Sequence, residues 1–298
     1  MLRNEDIQVL VEALPYLRDF KGKTVVVKYG GNAMINEDIK TKVLQDIVFL
    51  QCAGLRPVVV HGGGPEITSM LAKAGKKSRF VSGLRVTDAE SVGIAEMALV
   101  GKINTDLVAR LNVLGGCAVG LNGKDAKLIV AKKHLADVYE NGEVNLVDIG
   151  YVGNVEKVNT GLLEVLLDNG YIPVIAPTGV GTTGETYNIN ADSVAGEVAG
   201  ALKAEKLLIL TDVKGIYADY KDENSFISTL SFEKAQELII RGSIDGGMIP
   251  KVKACITALS GGAKKAHIID GRAEHTILSE IFSDEGIGTE VVKEVVTK

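Results

Sequence analysis

Two short valine-rich runs, each ending in glycine, place the strongest constraint on how this chain can fold. One is KTVVVKYGG, from Lys23 to Gly31, and the other is RPVVVHGGG, from Arg56 to Gly64. Between them, apolar residues recur at helical spacing from Ile39 to Leu50. Continuous apolar strands that alternate with helices are typical of a mainly parallel sheet with both faces covered. The sequence therefore predicts an α/β fold built from strand, glycine turn and helix.

Three later segments extend this pattern, and one segment departs from it. The strand-like segments run from Tyr171 to Val180, from Lys206 to Tyr217 and from Lys265 to Arg272. The stretch from Ala118 to Asn159 instead predicts short strands in hairpins. A stretch rich in Pro, Gly and Thr, Pro173 to Gly184, predicts a soft boundary between two lobes that share one sheet.

Capping residues predict where two helices begin. Thr87 and Glu90 have the spacing of a capping box, which predicts a helix that runs toward Leu114. Thr160 predicts the start of another helix, which stops at Asn169 and the glycine after it.

Composition and charge exclude several classes of partner. The 298 residues are 46% hydrophobic and carry a net charge of −5, so neither nucleic acid nor an anionic membrane is expected to bind. No apolar run approaches the roughly 18–20 residues of a membrane span. The start, MLRNEDIQ, lacks the features of a signal peptide, so we expect a cytoplasmic protein.

The three cysteines do not suggest a structural cross-link. Cys52, Cys117 and Cys255 are widely spaced and contain no CxxC pair. We expect buried, reduced thiols rather than a disulfide framework or a zinc site.

The HGGGP turn is the first candidate binding element. Ligands of open α/β sheets bind beyond the carboxyl ends of the strands, where helix N-termini offer unpaired N–H groups to anions. Pro65, which has no N–H, suits the first position of such a helix. Ile67 stands where a dinucleotide fingerprint needs its third glycine, and no Gly-Lys pair is followed by the Ser or Thr of a P-loop. The turn is either an anion cradle of another design or a tight connection.

Two lysines and one aspartate are the candidate charged groups. Lys28 interrupts an apolar strand, where it is either a buried ammonium that needs an anion or part of an edge strand facing water. Lys251 follows another glycine turn, at the start of an apparent helix, and is otherwise a surface lysine. Asp192 is either an N-cap or the group that orients both lysines.

Six ordered motifs are similar to those of the amino acid kinase family. They are KYGGNA, HGGGPEI, GLRVTD, NINAD, LTDVKGIY and GGMIPKV, and the resemblance runs from about Lys23 to the C-terminus. It is to the members that phosphorylate N-acetyl-L-glutamate in the second step of arginine biosynthesis. The resemblance implies a three-layer αβα sandwich, with an N-lobe of about residues 23–176 for the acyl-amino acid and a C-lobe of about residues 177–298 for MgATP.

The resemblance also implies roles for individual residues. Lys28 and Lys251 would neutralise the transferring phosphoryl group, with Asp192 holding both. Gly63 and Gly64 would present N–H groups to the reacting carboxylate, which a side chain there would block. Arg85 would grip the α-carboxylate, and Asn188 would bind the same substrate. The nucleotide would contact Gly30, Gly31, Thr211, Asp212 and Gly215. Mg²⁺ would ride on the ATP phosphates, so no protein ligand is assigned to it.

Other functions remain open at this stage. Carbamate kinase, glutamate 5-kinase, aspartokinase and uridylate kinase share the scaffold, although the GLRVT and NINAD segments favour acetylglutamate. A non-catalytic sensor of arginine or nucleotide on the same fold is the alternative from another class. Such a sensor is expected to lose a phosphate-facing lysine, and both lysines are present.

The first 22 residues predict an additional helix. Ile7, Leu10, Val11 and Leu14 have amphipathic spacing, and Pro15 is expected to kink the helix. This extension resembles the N-terminal helix of arginine-inhibited family members, where it links dimers into a hexamer. The resemblance therefore implies a homohexamer, a trimer of dimers, inhibited by L-arginine. The effector would contact Tyr16, His267, Glu285, Gly286 and Gly288.

Overall fold

The computed structural model describes residues 8, 11–30, 34, 36–140, 143–283 and 286–294. Four residues given a role above lie outside these ranges: Ile7, Leu10, Gly31 and Glu285. The strands are β1 (Thr24–Tyr29), β2 (Arg56–His61), β3 (Phe80–Val81), β4 (Leu84–Arg85), β5 (Ala118–Asn122), β6 (Ile129–Glu140), β7 (Glu143–Val158), β8 (Ile172–Ala176), β9 (Thr178–Val180), β10 (Thr186–Ile189), β11 (Lys206–Thr211), β12 (Ile216–Tyr217), β13 (Phe226–Ile227), β14 (Thr229–Ser231), β15 (Lys265–Asp270) and β16 (Thr289–Val292).

The α-helices are α1 (Leu14–Phe20), α2 (Glu37–Cys52), α3 (Gly64–Lys73), α4 (Ala89–Glu96), α5 (Thr105–Val113), α6 (Gly161–Asp168), α7 (Ala191–Ala201), α8 (Phe232–Ile240), α9 (Met248–Gly261) and α10 (Thr276–Ile281). A π-helical segment, Met97–Asn104, joins α4 to α5. Short 3₁₀ turns occupy Asp125–Lys127 and Glu223–Ser225.

An eight-stranded sheet forms the middle layer of the fold. Its strand order is β14-β16-β15-β11-β1-β2-β8-β5, and every neighbouring pair is parallel except β15–β16. β1 lies between β11 and β2. Lys28 is therefore on a central strand, and the alternative of a water-facing edge strand is wrong.

Alternate side chains of the central strands face opposite helical layers. Val26 and Val58 pack into one hydrophobic cluster, which includes Val194 of α7 and Val252 of α9. Val25, Val27 and Val59 belong to a second cluster on the other face of the sheet, which includes residues of α2, α3 and α5. Both faces are thus covered, which confirms the predicted αβα sandwich around a mainly parallel sheet.

A second, smaller sheet lies outside the central layer. β10, β7, β6 and β9 close into a four-stranded barrel, whose β6–β7 hairpin runs from Ile129 to Val158. The expectation of hairpins from Ala118 onward is wrong at its start, because Ala118 pairs in parallel with Ile172 of β8. β5 follows a helix rather than a tight turn, so it enters the main sheet as a crossover strand.

The structure contains the helical region that was predicted from Thr87 toward Leu114, but its N-cap is a different residue and its middle is not α-helical. Asp88 is the N-cap, because the Ser91 N–H donates to its carboxylate at 2.7 Å, whereas Thr87 forms a bridge with Gly150. The helical region then changes to π geometry within Met97–Asn104 before it ends at Val113. Thr160 does precede α6, but its hydroxyl donates to a glutamate side chain instead of capping the backbone.

Only one of the three cysteines is a buried thiol. Cys255 is fully buried, and burial, with a smaller effect of the Asp192 charge, raises its pKa. Cys52 and Cys117 are exposed, so the expectation of burial is wrong for both. Cys52 is the last residue of α2, and Cys117 directly precedes β5.

The N-terminal arm is broken where Pro15 predicts a kink. Residues 11–12 are helical, Ala13 forms a turn, and Pro15 occupies the first turn of α1. The Tyr16 ring packs edge-on against Phe282 at 6.4 Å between centroids. Phe20 packs against the second hydrophobic cluster, so α1 contacts its own chain.

Close packing of α7 against α9 sets the position of two candidate charged residues, Asp192 and Lys251. A Cβ atom at Gly196 of α7 would lie 2.5 Å from the Ala254 carbonyl oxygen of α9. Farther along, a Cβ at Gly200 would lie 3.1 Å from the Gly261 Cα. The two helices approach backbone to backbone because these glycines have no side chain.

We therefore expect Gly196→Ala to destabilise the protein by about 1–3 kcal/mol, since the methyl group meets backbone that cannot move aside. Gly93→Ala on α4 is the matched control, because nothing lies within 4 Å of its added Cβ. The control should be neutral or stabilising by up to about 1 kcal/mol. Urea denaturation measures both changes, and equal stability of Gly196→Ala and wild type would contradict the packing argument.

Candidate active site

The carboxyl ends of β1 and β2 bring two glycine turns into contact. The Gly62 N–H donates to the Tyr29 carbonyl at 2.7 Å. A Cβ at Gly30 would lie 3.1 Å from Lys28 Nζ and 3.4 Å from the Gly62 backbone. Lys28 therefore ends beside both turns, at the edge of the sheet where α/β proteins bind ligands.

Lys28, Asp192 and Lys251 converge at this edge. Lys28 Nζ lies 2.9 Å from Asp192 Oδ1, and Lys251 Nζ lies 3.6 Å from Asp192 Oδ2. The side chain of Lys28 is 8% exposed, that of Asp192 is 7% exposed and that of Lys251 is 16% exposed. Lys251 is therefore not an ordinary surface lysine. Two cations share one anion, which leaves a net positive charge for an incoming anion.

The start of α7 explains why Asp192 is free to hold the lysines. The Asp192 and Ser193 N–H groups donate to Asn190 Oδ1 at 2.8 and 3.2 Å. Asn190 is thus the N-cap, and the N-cap alternative for Asp192 is wrong. Lys251 is held from its own helix, since its Nζ donates to the Gly247 carbonyl at 3.0 Å.

The three glycines of the HGGGP turn differ in what surrounds them. A Cβ at Gly63 would lie 2.6 Å from both Leu99 Cδ2 and Ile103 Cδ1 of the π-helical segment. At Gly64, nothing lies within 4 Å of the added atom. Glycine at position 63 thus lets two side chains of the π-helical segment pack against the turn, whereas position 64 opens into free space.

Arg85 reaches the same turn from the β3–β4 hairpin. It is buried, and its guanidinium donates to the Gly64 carbonyl at 3.0 Å, to Thr68 Oγ1 at 2.8 Å and to the Ser78 hydroxyl. The guanidinium also stacks over the Phe80 ring, 4.7 Å from its centroid. Burial lowers the pKa of Arg85 from its usual value.

Asn188 lies on β10, two residues before the Asn190 cap. The strand pairs with β9 and β7 there, with Asn188 opposite Thr178 and Val152. β10 ends at Ile189, and Asn190 is already the N-cap of α7. Asn188 is half-buried near the N-terminus of α7.

A cavity of about 590 Å³ lies next to Lys251. Its lining includes Thr211, Asp212 and Gly215, as the sequence predicts, together with Lys251 and Tyr217. A Cβ at Gly215 would lie 2.6 Å from Thr289 Oγ1. The volume and the mixed lining suit a nucleotide-sized ligand, and Gly30 lies outside the lining, beside Lys28.

A second cavity, of about 180 Å³, lies between β15 and α10. It contains three of the predicted effector residues, His267, Gly286 and Gly288. Tyr16 is not part of the lining. It contacts the ring of Phe282, and the next residue in the chain, Ser283, lines the cavity. The other lining residues are Lys206, Ser228, Thr229, Lys265, Glu280, Ser283 and Glu290.

Glu280 is the charged centre of the second cavity, and no motif in the sequence predicts this role. It is 1% exposed and accepts from His267 Nδ1 at 2.9 Å, from the Ile287 N–H at 3.0 Å and from Lys206 Nζ at 3.3 Å. Burial acts to raise its pKa, but these donors and charges outweigh burial and lower the pKa to about 2. His267 Nε2 is buried without a hydrogen-bond partner among the described residues.

The described part of the chain shows neither a metal-binding cluster nor a membrane-spanning helix. Within those residues, no group of three or more His, Cys, Asp or Glu side chains is placed to hold a metal ion. No helix there combines the length and apolarity needed to cross a membrane.

The fold and the site together define an αβα protein with a paired-lysine anion site at the mouth of a nucleotide-sized cavity. Residues 23–270 match the amino acid kinase family. The chain belongs to that family.

Relatives over nearly the full length are acetylglutamate kinases. The protein of that name from Moorella thermoacetica is 58% identical over 288 residues, which cover 97% of each chain. The one from Pelotomaculum thermopropionicum is 56% identical over 290 residues, which cover 97% of this chain and 98% of its own.

Solved structures show the same architecture. N-acetylglutamate synthase from Neisseria gonorrhoeae, complexed with coenzyme A and N-acetyl-glutamate, superposes with a TM-score of 0.81 at 29% identity over 97% of this chain. This chain spans 64% of the length of that synthase. Carbamate kinase from Giardia lamblia superposes with a TM-score of 0.64 at 19% identity, over 92% of this chain and 99% of its own, which shows the fold alone.

Proposed function

We propose that this chain transfers the γ-phosphoryl group of ATP to the side-chain carboxylate of N-acetyl-L-glutamate, giving N-acetyl-L-glutamyl 5-phosphate, the second step of arginine biosynthesis. The observation that carries the proposal is the buried Lys28–Asp192–Lys251 cluster between the glycine turn and the large cavity. Full-length similarity to acetylglutamate kinases at 53–58% identity supports the choice of acceptor.

Each substrate has a place in this arrangement. The nucleotide occupies the 590 Å³ cavity along Thr211, Asp212 and Gly215, with its phosphates toward Lys251. The acceptor lies against the N-terminus of α3, where Arg85 is fixed beside Gly64. The planar guanidinium suits the α-carboxylate of the acceptor, and Asn188 contacts the same molecule.

The residues of the cluster act on the transferring group. A carboxylate oxygen of the acceptor forms a bond to the γ-phosphorus, and the bond from that phosphorus to the ADP oxygen breaks. Lys28 and Lys251 neutralise the charge on the phosphoryl oxygens from two sides, while Gly63 and Gly64 N–H groups hold the attacking carboxylate. The carboxylate is ionised at neutral pH, so no general base is required.

Mg²⁺ accompanies ATP in this proposal and lowers the charge of its phosphates. We assign the ion to the phosphate oxygens, since Mg²⁺ is commonly bound through substrate phosphates and the described residues contain no group of three or more His, Cys, Asp or Glu side chains placed to hold a metal ion.

An ADP-release assay with five acceptors tests the proposal. N-acetyl-L-glutamate should be turned over, with little activity on L-glutamate, L-aspartate, carbamate or UMP.

Lys28→Ala and Lys251→Ala should each lower kcat by about 10²–10³-fold, since each removes one preorganised charge contact. Arg85→Ala should chiefly raise KM for the acceptor.

Lys253→Ala is the matched control for Lys251→Ala, because Lys253 lies on the same helix and is exposed. Its kcat should equal that of wild type. Preference for any of the other four acceptors would overturn the proposed substrate, and near-normal kcat in either lysine variant would overturn the role of that lysine.

We also propose that L-arginine binds the 180 Å³ cavity and inhibits the enzyme at a distance from the acceptor site. Glu280 and Glu290 offer carboxylates to a guanidinium, and Lys206 and Lys265 offer cations to the α-carboxylate. His267 Nε2, which is buried and has no hydrogen-bond partner among the described residues, can accept a hydrogen bond from the ligand. Tyr16 approaches from α1, and Glu285, outside the described residues, keeps its proposed role.

Calorimetric titration tests the effector site. L-arginine should bind and inhibit, whereas L-citrulline, of similar shape but without the guanidinium charge, should do neither. His267→Asn keeps a donor toward Glu280 but removes Nε2, so it should weaken arginine binding by about tenfold. Full activity of wild type in saturating arginine would contradict the regulatory proposal. An unchanged affinity of His267→Asn for L-arginine would exclude His267 from the site.

The N-terminal arm supports a homohexamer, a trimer of dimers, as the assembled form. Val11 and Leu14 are apolar and 57% and 62% exposed within the single chain, so a second copy can cover them. Light scattering should show a hexamer for the full chain and an active dimer after deletion of residues 1–20, which removes both of these side chains. A full chain that is itself dimeric would contradict this assembly.

A further inference from the structure

His61, the residue before the three glycines, is buried and takes no part in the chemistry described above. It ends β2 and is 0% exposed. Its Nδ1 lies 2.9 Å from the Gly62 carbonyl oxygen, and its Nε2 lies 3.1 Å from Asn104 Nδ2. Asn104 also contacts β8, because its Nδ2 lies 2.8 Å from the Val174 carbonyl oxygen.

These contacts determine which ring nitrogen carries the proton. The Val174 carbonyl oxygen can only accept, so the Asn104 atom beside it is the amide nitrogen, which can only donate. The same nitrogen therefore donates its second hydrogen to His61 Nε2. Nε2 is then the bare nitrogen, and Nδ1–H donates to the Gly62 carbonyl. Burial lowers the pKa of His61 to about 4, which keeps the ring neutral at physiological pH.

We infer that His61 is a positioning residue that fixes the Gly62–Gly63 peptide so that the Gly63 N–H faces the reacting carboxylate. The carbonyl and the N–H of one trans peptide point in opposite directions, so holding the Gly62 carbonyl aims the Gly63 N–H. The inference rests on the proposed function, in which that N–H binds the acceptor.

The glycine turn needs such a constraint. Glycine peptides rotate more freely than others, and a misdirected donor contributes nothing to the transition state. The Gly62 N–H is already used by the Tyr29 carbonyl. Among the described residues, the N–H groups of Gly63 and Gly64 have no backbone acceptor and remain available to a ligand.

Asn104 is held in place by the helical segment that carries it and by a glycine of the neighbouring strand β5. It is the last residue of the π-helical segment, a rare geometry that occurs often at functional sites. In β5, a Cβ at Gly120 would lie 2.1 Å from Asn104 Oδ1, so only glycine leaves room for this side chain. The segment also packs Leu99 and Ile103 where a Gly63 side chain would be.

Two substitutions of His61 separate positioning from packing. The amide nitrogen of Asn lies near the position of Nδ1, so His61→Asn can still donate to the Gly62 carbonyl. The longer Gln places its polar group near Nε2, so His61→Gln can meet Asn104 but leaves the carbonyl without a donor. We expect His61→Asn to keep most of the wild-type kcat and His61→Gln to lower it at least about tenfold, with KM for ATP unchanged in both.

Two glycine variants test the role of Asn104 independently. Gly120→Ala displaces Asn104 and should lower kcat as His61→Gln does. Gly101→Ala, in the same π-helical segment but with nothing within 4 Å of its added Cβ, should behave as wild type. Thermal unfolding of each variant shows that it is folded at the assay temperature.

Equal kcat in His61→Asn and His61→Gln, whether both normal or both reduced, would overturn the inference. A Gly120→Ala variant with wild-type kcat would overturn the role of Asn104. Wild type that phosphorylates another acceptor of the panel would refute the proposed substrate instead, and the same pair of His61 variants would then test the positioning role with that acceptor.

Discussion

The arrangement of the site depends on one buried carboxylate shared by two lysines. Lys28 and Lys251 repel each other, and burying either ammonium alone is costly. Asp192, within 2.9 Å of one and 3.6 Å of the other, offsets that cost without neutralising both. The remaining positive charge lies between the glycine turn and the large cavity, where the proposed reaction would transfer the phosphoryl group.

This shared ion pair requires three elements to converge within a few ångströms. Lys28 comes from the central strand β1, Asp192 from the first turn of α7 and Lys251 from the first turn of α9. The glycines of α7 and α9 let the two helices approach until backbone atoms touch. The Asn190 cap satisfies the N-terminal amides of α7, so the Asp192 side chain is left to the lysines. The distances within the cluster of Lys28, Asp192 and Lys251 therefore depend on how α7 packs against α9 farther along the two helices.

Much of this could be predicted from the sequence, because the signals are local. The valine-rich runs predict β1 and β2, whereas a lysine inside such a run leaves two alternatives, a buried ammonium that needs an anion or an edge strand, and only the central position of β1 decides between them. Contacts between distant residues leave no such signal. Glu280 looks like an ordinary helix residue until Lys206 and His267 are placed around it, and Asn104 meets His61 only through a π-helical segment. Where local rules competed, Asp88 rather than Thr87 became the cap, since Thr87 is held by a bridge to Gly150.

A crystal structure with MgADP, aluminium fluoride and N-acetyl-L-glutamate tests the central claim most directly, because the fluoride complex takes the position of the transferring phosphoryl group. The account predicts that the complex lies within hydrogen-bonding distance of Lys28 Nζ and Lys251 Nζ, with the acceptor carboxylate on the Gly63 and Gly64 N–H groups and Asp192 still between the lysines. A fluoride complex bound away from both lysines would contradict the account.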